Sequence, residues 1–180
     1  MPEPRTFFLD KLRTPIGELK IVSDERGALR LVGWDDENGR YIGMLKRWHG
    51  DITLEAKENA GGRTRAMQDY FDGDLHVLDT LPVASAGTPF QKTVWKALRR
   101  IPAGETWSYG QLAKHIGDPT ASRAVGLANG SNPIGIVAPC HRVIGANGTL
   151  TGYGGGLPRK KWLLEHEAKH APVGLFGKAS

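Results

Sequence analysis

The stretch SYGQLAKHIGDPTASRAVGLANG, residues 108–130, contains the signals that decide the fold of the C-terminal half of the chain. Ser108 and Gln111 stand three residues apart, which is the spacing of a capping box at the start of a helix. The Gly-Asp-Pro sequence at residues 117–119 ends that helix and starts a second one. Two short helices joined by a tight turn predict a helix-turn-helix, a motif that often binds DNA.

The second of these helices has an unusual composition for a protein that reads base sequence. Major-groove recognition normally uses several Arg, Asn or Gln side chains, whereas here a single arginine, Arg123, stands among small residues. This composition favours contact with DNA without sequence preference, in the minor groove. The alternative is a small-residue helix packed in a core, with Arg123 at its edge.

Charge is distributed unevenly along the 180 residues, whose net charge is +5. Residues 1–84 hold 12 Lys and Arg against 15 Asp and Glu, and residues 85–180 hold 12 against 4. A basic half joined to an acidic half indicates that the basic half meets a polyanion such as DNA. A solubilising surface charge is the alternative interpretation.

The segment LPVASAGTPF, residues 81–90, is rich in small residues and proline and predicts a linker. It divides the chain into an N-terminal domain, residues 1–84, and a C-terminal domain, residues 85–180. In the first domain the turns TPIG and DERG separate three apolar runs, which predicts a small antiparallel sheet followed by a helix over residues 63–73. This domain shows no reactive cluster, so we expect it to support the other one structurally.

Several protein classes are excluded by composition. The N-terminal residues carry no long apolar stretch, so no signal peptide is expected. The sequence has no run of about 18 apolar residues, so no membrane span is expected. A single cysteine forms neither an internal disulfide nor a cysteine-rich zinc site. These features predict a cytoplasmic protein.

The single cysteine, Cys140, lies between Pro139 and His141 in the segment IVAPCHRVIG. A thiol beside an imidazole suggests a nucleophile and its base. Adjacent side chains of a strand point to opposite faces, so contact between the two requires a turn or a bridging water. Pro139 favours such an irregular backbone. The alternative is a buried, inert cysteine.

Two downstream features strengthen the interpretation of Cys140 as reactive. The glycine-rich stretch TGYGGG, residues 151–156, permits a flat ligand to approach the backbone closely. A helix that begins near Pro158 carries Glu165 and Glu167. A carboxylate that reaches His141 would fix one tautomer of the imidazole and favour its charged form, which in turn favours a thiolate.

These motifs together resemble the O6-alkylguanine-DNA alkyltransferases. The resemblance rests on PCHRV, on NPI before it, on GYGGG and KKWLLEHE after it, and on SYGQLA, SRAVGLANGSNP and the Phe-Gln-x-x-Val-Trp helix start at Phe90. It is dense from about residue 86 to residue 168. It implies an α/β N-terminal domain that resembles ribonuclease H, followed by an α-helical C-terminal domain with a winged helix-turn-helix.

The resemblance also implies an activity, which is direct reversal of DNA alkylation. The alkyl group of O6-alkylguanine in duplex DNA, with O4-alkylthymine as a further substrate, moves irreversibly to Cys140 after the base is flipped out. No cofactor takes part, and each molecule acts once. The implied partner is double-stranded alkylated DNA, with no membrane, and the protein is expected to be a monomer in solution.

Site residues follow from the same resemblance. Cys140 is the alkyl acceptor, and His141 deprotonates it through a bridging water. Glu167 orients and charges His141. Asn132, in the SNP motif, shapes the hinge between the recognition helix and the active site.

The residues that contact DNA or the base are implied in the same way. Tyr109 donates to the flipped guanine, and Arg123 fills the vacated base stack. Backbone groups near Cys140 and Val143 read the guanine amine, and the amide of Gly154 bonds O6. Gly154 replaces a serine of some relatives, which implies a wider pocket. The cysteines and histidines of zinc-binding members are missing from the N-terminal half, so no metal is expected.

Two functions of other classes remain open at the level of sequence. A non-catalytic module would bind the lesion and recruit other repair proteins without losing its thiol. A redox sensor would join a peroxide-sensitive thiol to a DNA-binding helix pair. The sequence does not rank the alkyl groups or the two alkylated bases.

Overall fold

The computed structural model describes residues 5–34 and 39–171. The outer ends of the two predicted domains, residues 1–4 and 172–180, therefore lie outside the described residues. The strands are β1 Arg5–Thr14, β2 Gly17–Asp24, β3 Leu29–Trp34, β4 Ile52–Ala56, β5 Trp107–Ser108 and β6 Val143–Ile144. The helices are α1 Arg40–His49, α2 Arg63–Phe71, α3 Pro89–Leu98, α4 Tyr109–His115, α5 Ser122–Gly130 and α6 Leu157–His170. Single 3₁₀ turns span Ala60–Gly62, Leu75–Leu78 and Cys140–Arg142.

The N-terminal half contains a four-stranded sheet in the order β3-β2-β1-β4. Strands β1, β2 and β3 pair antiparallel, as the sequence predicts, and β4 pairs parallel to β1 after the crossover through α1. Apolar residues point to both faces of the sheet, and each face is covered by a helix. Leu19 and Ile21 face α2 in one cluster, and Val22 faces Leu45 of α1 in another.

Helices α3 and α4 begin with capping side chains, and the capping box predicted at Ser108 is confirmed, whereas α5 begins at Ser122, later than the start predicted at residues 117–119. The side chain of Thr88 accepts from the amide of Gln91 at 3.1 Å, and that of Ser108 accepts from the amide of Gln111 at 3.1 Å. Each glutamine bonds back to the capping residue, which completes both capping boxes. The tight turn after α4 leads into α5, so the two helices of the predicted pair are present.

Helix α3 and the turn after it pack through one apolar face, with one exposed position in the first turn. Val94, Ala97, Leu98 and Ile101 are buried, whereas Phe90 is 37% exposed. Phe90 lies in the first turn of the helix. Side chains of a helix point toward its N-terminus, so that of Phe90 lies beyond the packed part of the helix.

One hydrophobic cluster contains residues of both halves of the chain. Tyr70 of α2 packs in the same cluster as Ile134, Val137 and Leu163 of the C-terminal half. A backbone hydrogen bond also joins the two halves, because the amide of Gly135 donates to the carbonyl oxygen of Val32 at 2.8 Å. The predicted linker is tied to the sheet as well, since the amide of Leu29 donates to the carbonyl oxygen of Pro82 at 2.8 Å. The division of the chain at residues 84 and 85 stays a prediction.

Candidate active site

Cys140 lies in a single 3₁₀ turn, Cys140–Arg142, between α5 and β6. The expected departure from regular strand at this point is therefore present, and Pro139 precedes it with φ −81° and ψ 69°. Asn132 closes the loop that leads to the turn. Its Nδ2 donates to the carbonyl oxygen of Ala138 at 2.7 Å, and its Oδ1 accepts from the amide of Ile134 at 3.0 Å.

The loop that Asn132 closes carries backbone strain at Ile136. This residue has φ 68°, in the left-handed region that a β-branched side chain rarely adopts. It is buried, and the amides of Val137 and Ala138 on its C-terminal side bond to carbonyl oxygens of the same loop. Strained residues that are held in this way cluster at functional sites.

His141 is fully buried and bonded to Glu167. Its Nε2 lies 2.8 Å from Oε2 of Glu167. A carboxylate accepts hydrogen bonds, so Nε2 carries the proton and Nδ1 is left as the acceptor nitrogen. Within the described part of the chain, Nδ1 is buried and has no hydrogen-bond partner. The imidazole therefore has a basic nitrogen available beside the cysteine.

Glu167 is the hub of a buried network. Besides His141, it accepts from Arg142 through Nε at 2.7 Å and Nη2 at 2.8 Å, and from the hydroxyl of Tyr70 at 2.7 Å. Glu167 is 0% exposed, although Lys161 and Glu165 of the same helix are exposed. The reason is helical spacing: Lys160 and Glu167 lie on the inward face of α6.

The ionisation of this network follows from its burial. Burial raises the pKa of Glu167, but the opposing hydrogen bonds and charges of His141 and Arg142 outweigh it and hold that pKa far below its usual range. Burial lowers the pKa of His141, and Arg142 and Lys160 act in the same direction against the pull of Glu167. We therefore expect a neutral imidazole bonded to an ionised carboxylate near neutral pH.

Lys160 is buried beside the thiol. Its Nζ donates to the carbonyl oxygens of Val143 at 2.6 Å and Thr151 at 2.7 Å. Burial raises the pKa of the Cys140 thiol, while a hydrogen bond with Asn132 and the charge of Lys160 act in the opposite direction. The thiol is therefore protonated at rest, and a base is required before it attacks an electrophile.

A cavity of about 330 Å³ opens at Cys140 and is walled by both halves of the chain. Tyr109 and Gly154 line it from the C-terminal half, and Trp34 and Tyr41 line it from the N-terminal half. The hydroxyl of Tyr109 is bonded to the hydroxyl of Thr151 at 2.8 Å. The volume lies at the lower end of the range that small-molecule and cofactor sites occupy.

Gly154 does not leave an empty space where a serine side chain would stand. A Cβ built at this position would lie 3.1 Å from Oη of Tyr41 and 3.6 Å from Nη1 of Arg40. The N-terminal half thus fills the room that the missing side chain vacates. The expected widening of the pocket therefore depends on Tyr41 as well as on Gly154.

The structure separates the predicted contact residues into two groups. Tyr109, Asn132 and Gly154 line the cavity with Cys140, whereas Arg123 lies on the exposed face of α5. That face also presents Leu127, which is 74% exposed.

Val143 begins β6, and its carbonyl oxygen already accepts from Lys160. A carbonyl oxygen has a second lone pair, so this bond leaves it able to accept another donor.

Several functional residues were not found from the sequence. Trp34, Tyr41 and Tyr70 come from the N-terminal half, which showed no reactive cluster, and only the tertiary fold brings them to the site. Asn129 was also missed, although its Nδ2 lies 3.4 Å from the carbonyl oxygen of Cys140. Lys160 had a detectable signal, because it lies seven residues before Glu167 on one helical face.

In residues 5–34 and 39–171, no group of three or more His, Cys, Asp or Glu residues is placed to hold a metal ion. No helix there combines the length and the apolar composition that a membrane span requires.

The arrangement suits nucleophilic substitution by sulfur. Cys140 lines a cavity, a neutral imidazole follows it in the same turn, and an ionised carboxylate fixes the tautomer of that imidazole. Such a constellation activates a thiol by removing its proton. An exposed helix with a single arginine borders the same cavity through Gly126 and Gly130.

Comparisons with known proteins identify the family of the chain. Residues 89–169 match the family described as 6-O-methylguanine DNA methyltransferase, DNA binding domain. A methylated-DNA–protein-cysteine methyltransferase of Shigella flexneri is 52% identical over 161 residues, which cover 88% of this chain and 94% of that protein.

Solved structures agree with the sequence match. The crystal structure of Mycobacterium tuberculosis O6-methylguanine methyltransferase has a TM-score of 0.73 and 40% identity, with 94% of this chain and 98% of that one covered. The structure of Mycobacterium tuberculosis OGT in complex with DNA has a TM-score of 0.73 and 41% identity, with 93% and 95% covered. The chain belongs to the methylated-DNA–protein-cysteine methyltransferases, and its enzymatic class is that of the family.

Proposed function

We propose that this protein repairs O6-alkylguanine in duplex DNA by a single, irreversible transfer of the alkyl group to Cys140. The observation that carries the proposal is the 2.8 Å bond between Nε2 of His141 and Oε2 of Glu167, with His141 next to Cys140 in the same 3₁₀ turn. It leaves Nδ1 of His141 as a base, which takes the proton of Cys140 through a bridging water. Asn132 holds the loop that positions the cysteine.

The chemical step is a substitution at the alkyl carbon. The thiolate of Cys140 forms a carbon–sulfur bond as the carbon–O6 bond breaks, and the electron pair of the broken bond stays on guanine. Tyr109 donates to the departing guanine, and the amide of Gly154 bonds O6, which stabilises the negative charge that develops there. The product is a thioether. A thioether is a poor substrate for displacement, so each protein molecule acts once.

The DNA is bound by the helix pair α4 and α5. Arg123 projects from the exposed face of α5 and fills the base stack after the alkylated nucleotide flips into the cavity. The small residues of α5 permit close approach to the minor groove. Backbone carbonyls of Cys140 and Val143 read the guanine amine, and O4-alkylthymine is a further substrate.

The finer description of the fold is part of the proposal. The strand order β3-β2-β1-β4, with three antiparallel strands and a parallel fourth, supports a ribonuclease H-like N-terminal domain. The short pair β5-β6 beside α4 and α5 supports a winged helix-turn-helix in the C-terminal domain. Action without a cofactor, a monomeric state and a cytoplasmic location stay predictions.

One experiment separates this function from the two alternatives. The wild-type protein and Cys140→Ser are each mixed with a duplex that contains O6-methylguanine, and the intact mass of each protein is measured. We expect the mass of the wild type to rise by one methylene at Cys140, while Cys140→Ser binds the duplex and stays unmodified. A wild type that binds without a mass change would support the non-catalytic module. A thiol that responds to peroxide and ignores the methylated duplex would support the redox sensor.

A further inference from the structure

Tyr70 of the N-terminal half enters the proposed relay of the C-terminal half. Its hydroxyl donates to Oε2 of Glu167 at 2.7 Å, and the same oxygen accepts from Nε2 of His141 at 2.8 Å. We propose that Tyr70 is a positioning residue that sets the basicity of His141 by sharing this carboxylate oxygen. The proposal rests on the proposed function, in which His141 deprotonates Cys140.

The hydroxyl of Tyr70 is a permanent donor. The residue is 0% exposed, and its ring packs edge-on against His166 with 5.2 Å between the ring centroids. Burial, followed by the charge and the hydrogen bond of Glu167, raises the pKa of Tyr70 well above its usual value. The phenol therefore keeps its proton near neutral pH, and its O–H continues to donate to the ionised carboxylate of Glu167.

Arg142 holds Glu167 in place independently of Tyr70. The guanidinium engages both carboxylate oxygens, Nε to Oε1 at 2.7 Å and Nη2 to Oε2 at 2.8 Å. Its Nη1 also donates to the carbonyl oxygen of Ile101 at 2.6 Å, which fixes the guanidinium itself. Loss of the tyrosine hydroxyl therefore alters the electrostatic effect of Glu167 on His141, while Arg142 keeps Glu167 in position.

The direction of the effect follows from the shared oxygen. A donor that bonds an ionised carboxylate stabilises its charge and weakens it as an acceptor for any other donor. Tyr70 therefore reduces the attraction of Glu167 for the proton of His141, and so lowers the basicity of the imidazole. Arg142 and Lys160 face His141 from the 3₁₀ turn and from α6, and they act in the same direction.

This arrangement gives the N-terminal half a role in the reaction. A more basic His141 would be protonated near neutral pH, and a protonated imidazole has no free nitrogen to accept the thiol proton. The hydroxyl of Tyr70 keeps the imidazole neutral and competent at lower pH. Helix α2 thus tunes a proton transfer whose other groups all belong to the C-terminal half.

The variant Tyr70→Phe tests the proposal in the full-length protein. It removes one hydroxyl and keeps the packed ring, and circular dichroism and thermal unfolding confirm the fold. Single-turnover transfer from a duplex with O6-methylguanine is measured as a function of pH. We expect the acid limb of the profile to move to higher pH and the plateau rate to rise about twofold, because the imidazole is a stronger base.

Thr64→Val is the matched control for Tyr70→Phe. Thr64 lies in the same helix and donates its hydroxyl to Oδ2 of Asp10 at 2.5 Å, far from the cavity. It also loses one hydroxyl–carboxylate bond, and we expect its acid limb to coincide with that of the wild type. An acid limb of Tyr70→Phe that stays in place, or moves to lower pH, would overturn the proposal. A fall in the plateau without movement of the limb would overturn it too, since that is the result of a structural defect.

A second measurement separates this proposal from the proposed function. The His141 imidazole is titrated by NMR in Cys140→Ser and in the double variant Cys140→Ser/Tyr70→Phe, neither of which transfers an alkyl group. A higher pKa of His141 in the double variant supports the role of Tyr70, and an equal or lower one refutes it. A wild type that fails to accept an alkyl group refutes the proposed function whichever way the titration falls.

Discussion

Arg142 donates to both carboxylate oxygens of Glu167, at 2.7 and 2.8 Å. It lies two residues after Cys140, the proposed alkyl acceptor. The pair is buried, with 8% and 1% of the two side chains exposed. Removal of one partner from a buried ion pair leaves the other charge without compensation. The same carboxylate therefore stabilises the fold and orients His141, and a test of the second role has to control for the first.

Glu167→Gln is expected to slow alkyl transfer near neutral pH and to raise the pKa of the Cys140 thiol. The reason is that a neutral amide no longer stabilises the imidazolium that forms when His141 accepts the proton of the Cys140 thiol. The variant should also lose about 3 kcal/mol of stability, because Arg142 stays buried without its partner. The rate is measured in single-turnover pH profiles at a temperature where circular dichroism shows both proteins folded. Profiles that superimpose would remove Glu167 from the relay.

Glu165→Gln is the control for this substitution. Glu165 lies two residues earlier in α6, and its contact with Lys161 at 3.9 Å is solvent-exposed. Exposed pairs of this kind contribute little to stability. We expect the control to match the wild type in rate and in unfolding, so a deficit shared by both variants would indicate a general defect of the helix.

Arg123→Ala is expected to slow repair of duplex DNA by about tenfold and to leave the reaction with free O6-benzylguanine unchanged. The free base requires no flipping, so the loss of a side chain that fills the base stack affects the duplex alone. Arg13→Ala, at an exposed position of β1, is the matched loss of one positive charge. Equal losses on both substrates would exclude Arg123 from the flipping step.

Salt is expected to weaken DNA binding steeply, with little dependence on base sequence. Cationic side chains that neutralise phosphates release counterions, so the logarithm of the binding constant falls linearly with the logarithm of salt concentration. The measurement is fluorescence anisotropy of unmodified duplexes of several sequences between low and physiological salt. Strong sequence preference, or affinity that is insensitive to salt, would contradict phosphate-dominated binding by the basic half.

Gly154→Ser is expected to change the ratio of two transfer rates, that with O6-benzylguanine divided by that with O6-methylguanine in duplex DNA. We expect this ratio to fall by about tenfold. The added side chain competes with Oη of Tyr41, which lies 3.1 Å from its first carbon. Tyr41→Phe removes that oxygen, so the double variant should recover part of the lost ratio. A ratio that is the same in all three proteins would show that this contact does not limit the size of the alkyl group.

The local signals of the sequence were reliable because they act over a few residues. The capping box at Ser108 forms as the spacing predicts, and the TPIG and DERG turns separate three strands. The irregular backbone at Cys140 follows from Pro139 in the same way. Each of these features depends on neighbouring backbone groups, so a reading of short segments is sufficient to find it.

Contacts between the halves were not predictable from short segments. Tyr70 and Glu167 are 97 residues apart in sequence, and a tyrosine in the last turn of an amphipathic helix looks like an ordinary core residue. The ring of Tyr41 lies against Gly33 of the edge strand β3, and its hydroxyl lies against Gly154. The expectation that the N-terminal half is purely structural missed these groups, since tertiary packing, and not local pattern, brings them to the cavity.

The stoichiometry of transfer decides whether Cys140 is the irreversible alkyl acceptor. A fixed amount of protein is titrated with an excess of duplex that carries a labelled O6-methylguanine, and protein-bound label and free thiol are counted at the end point. We expect transfer to stop at one methyl group per protein, with loss of the Cys140 thiol, and no transfer to Cys140→Ser. Transfer that continues beyond one equivalent, or that leaves the thiol free, would contradict an irreversible reaction at Cys140.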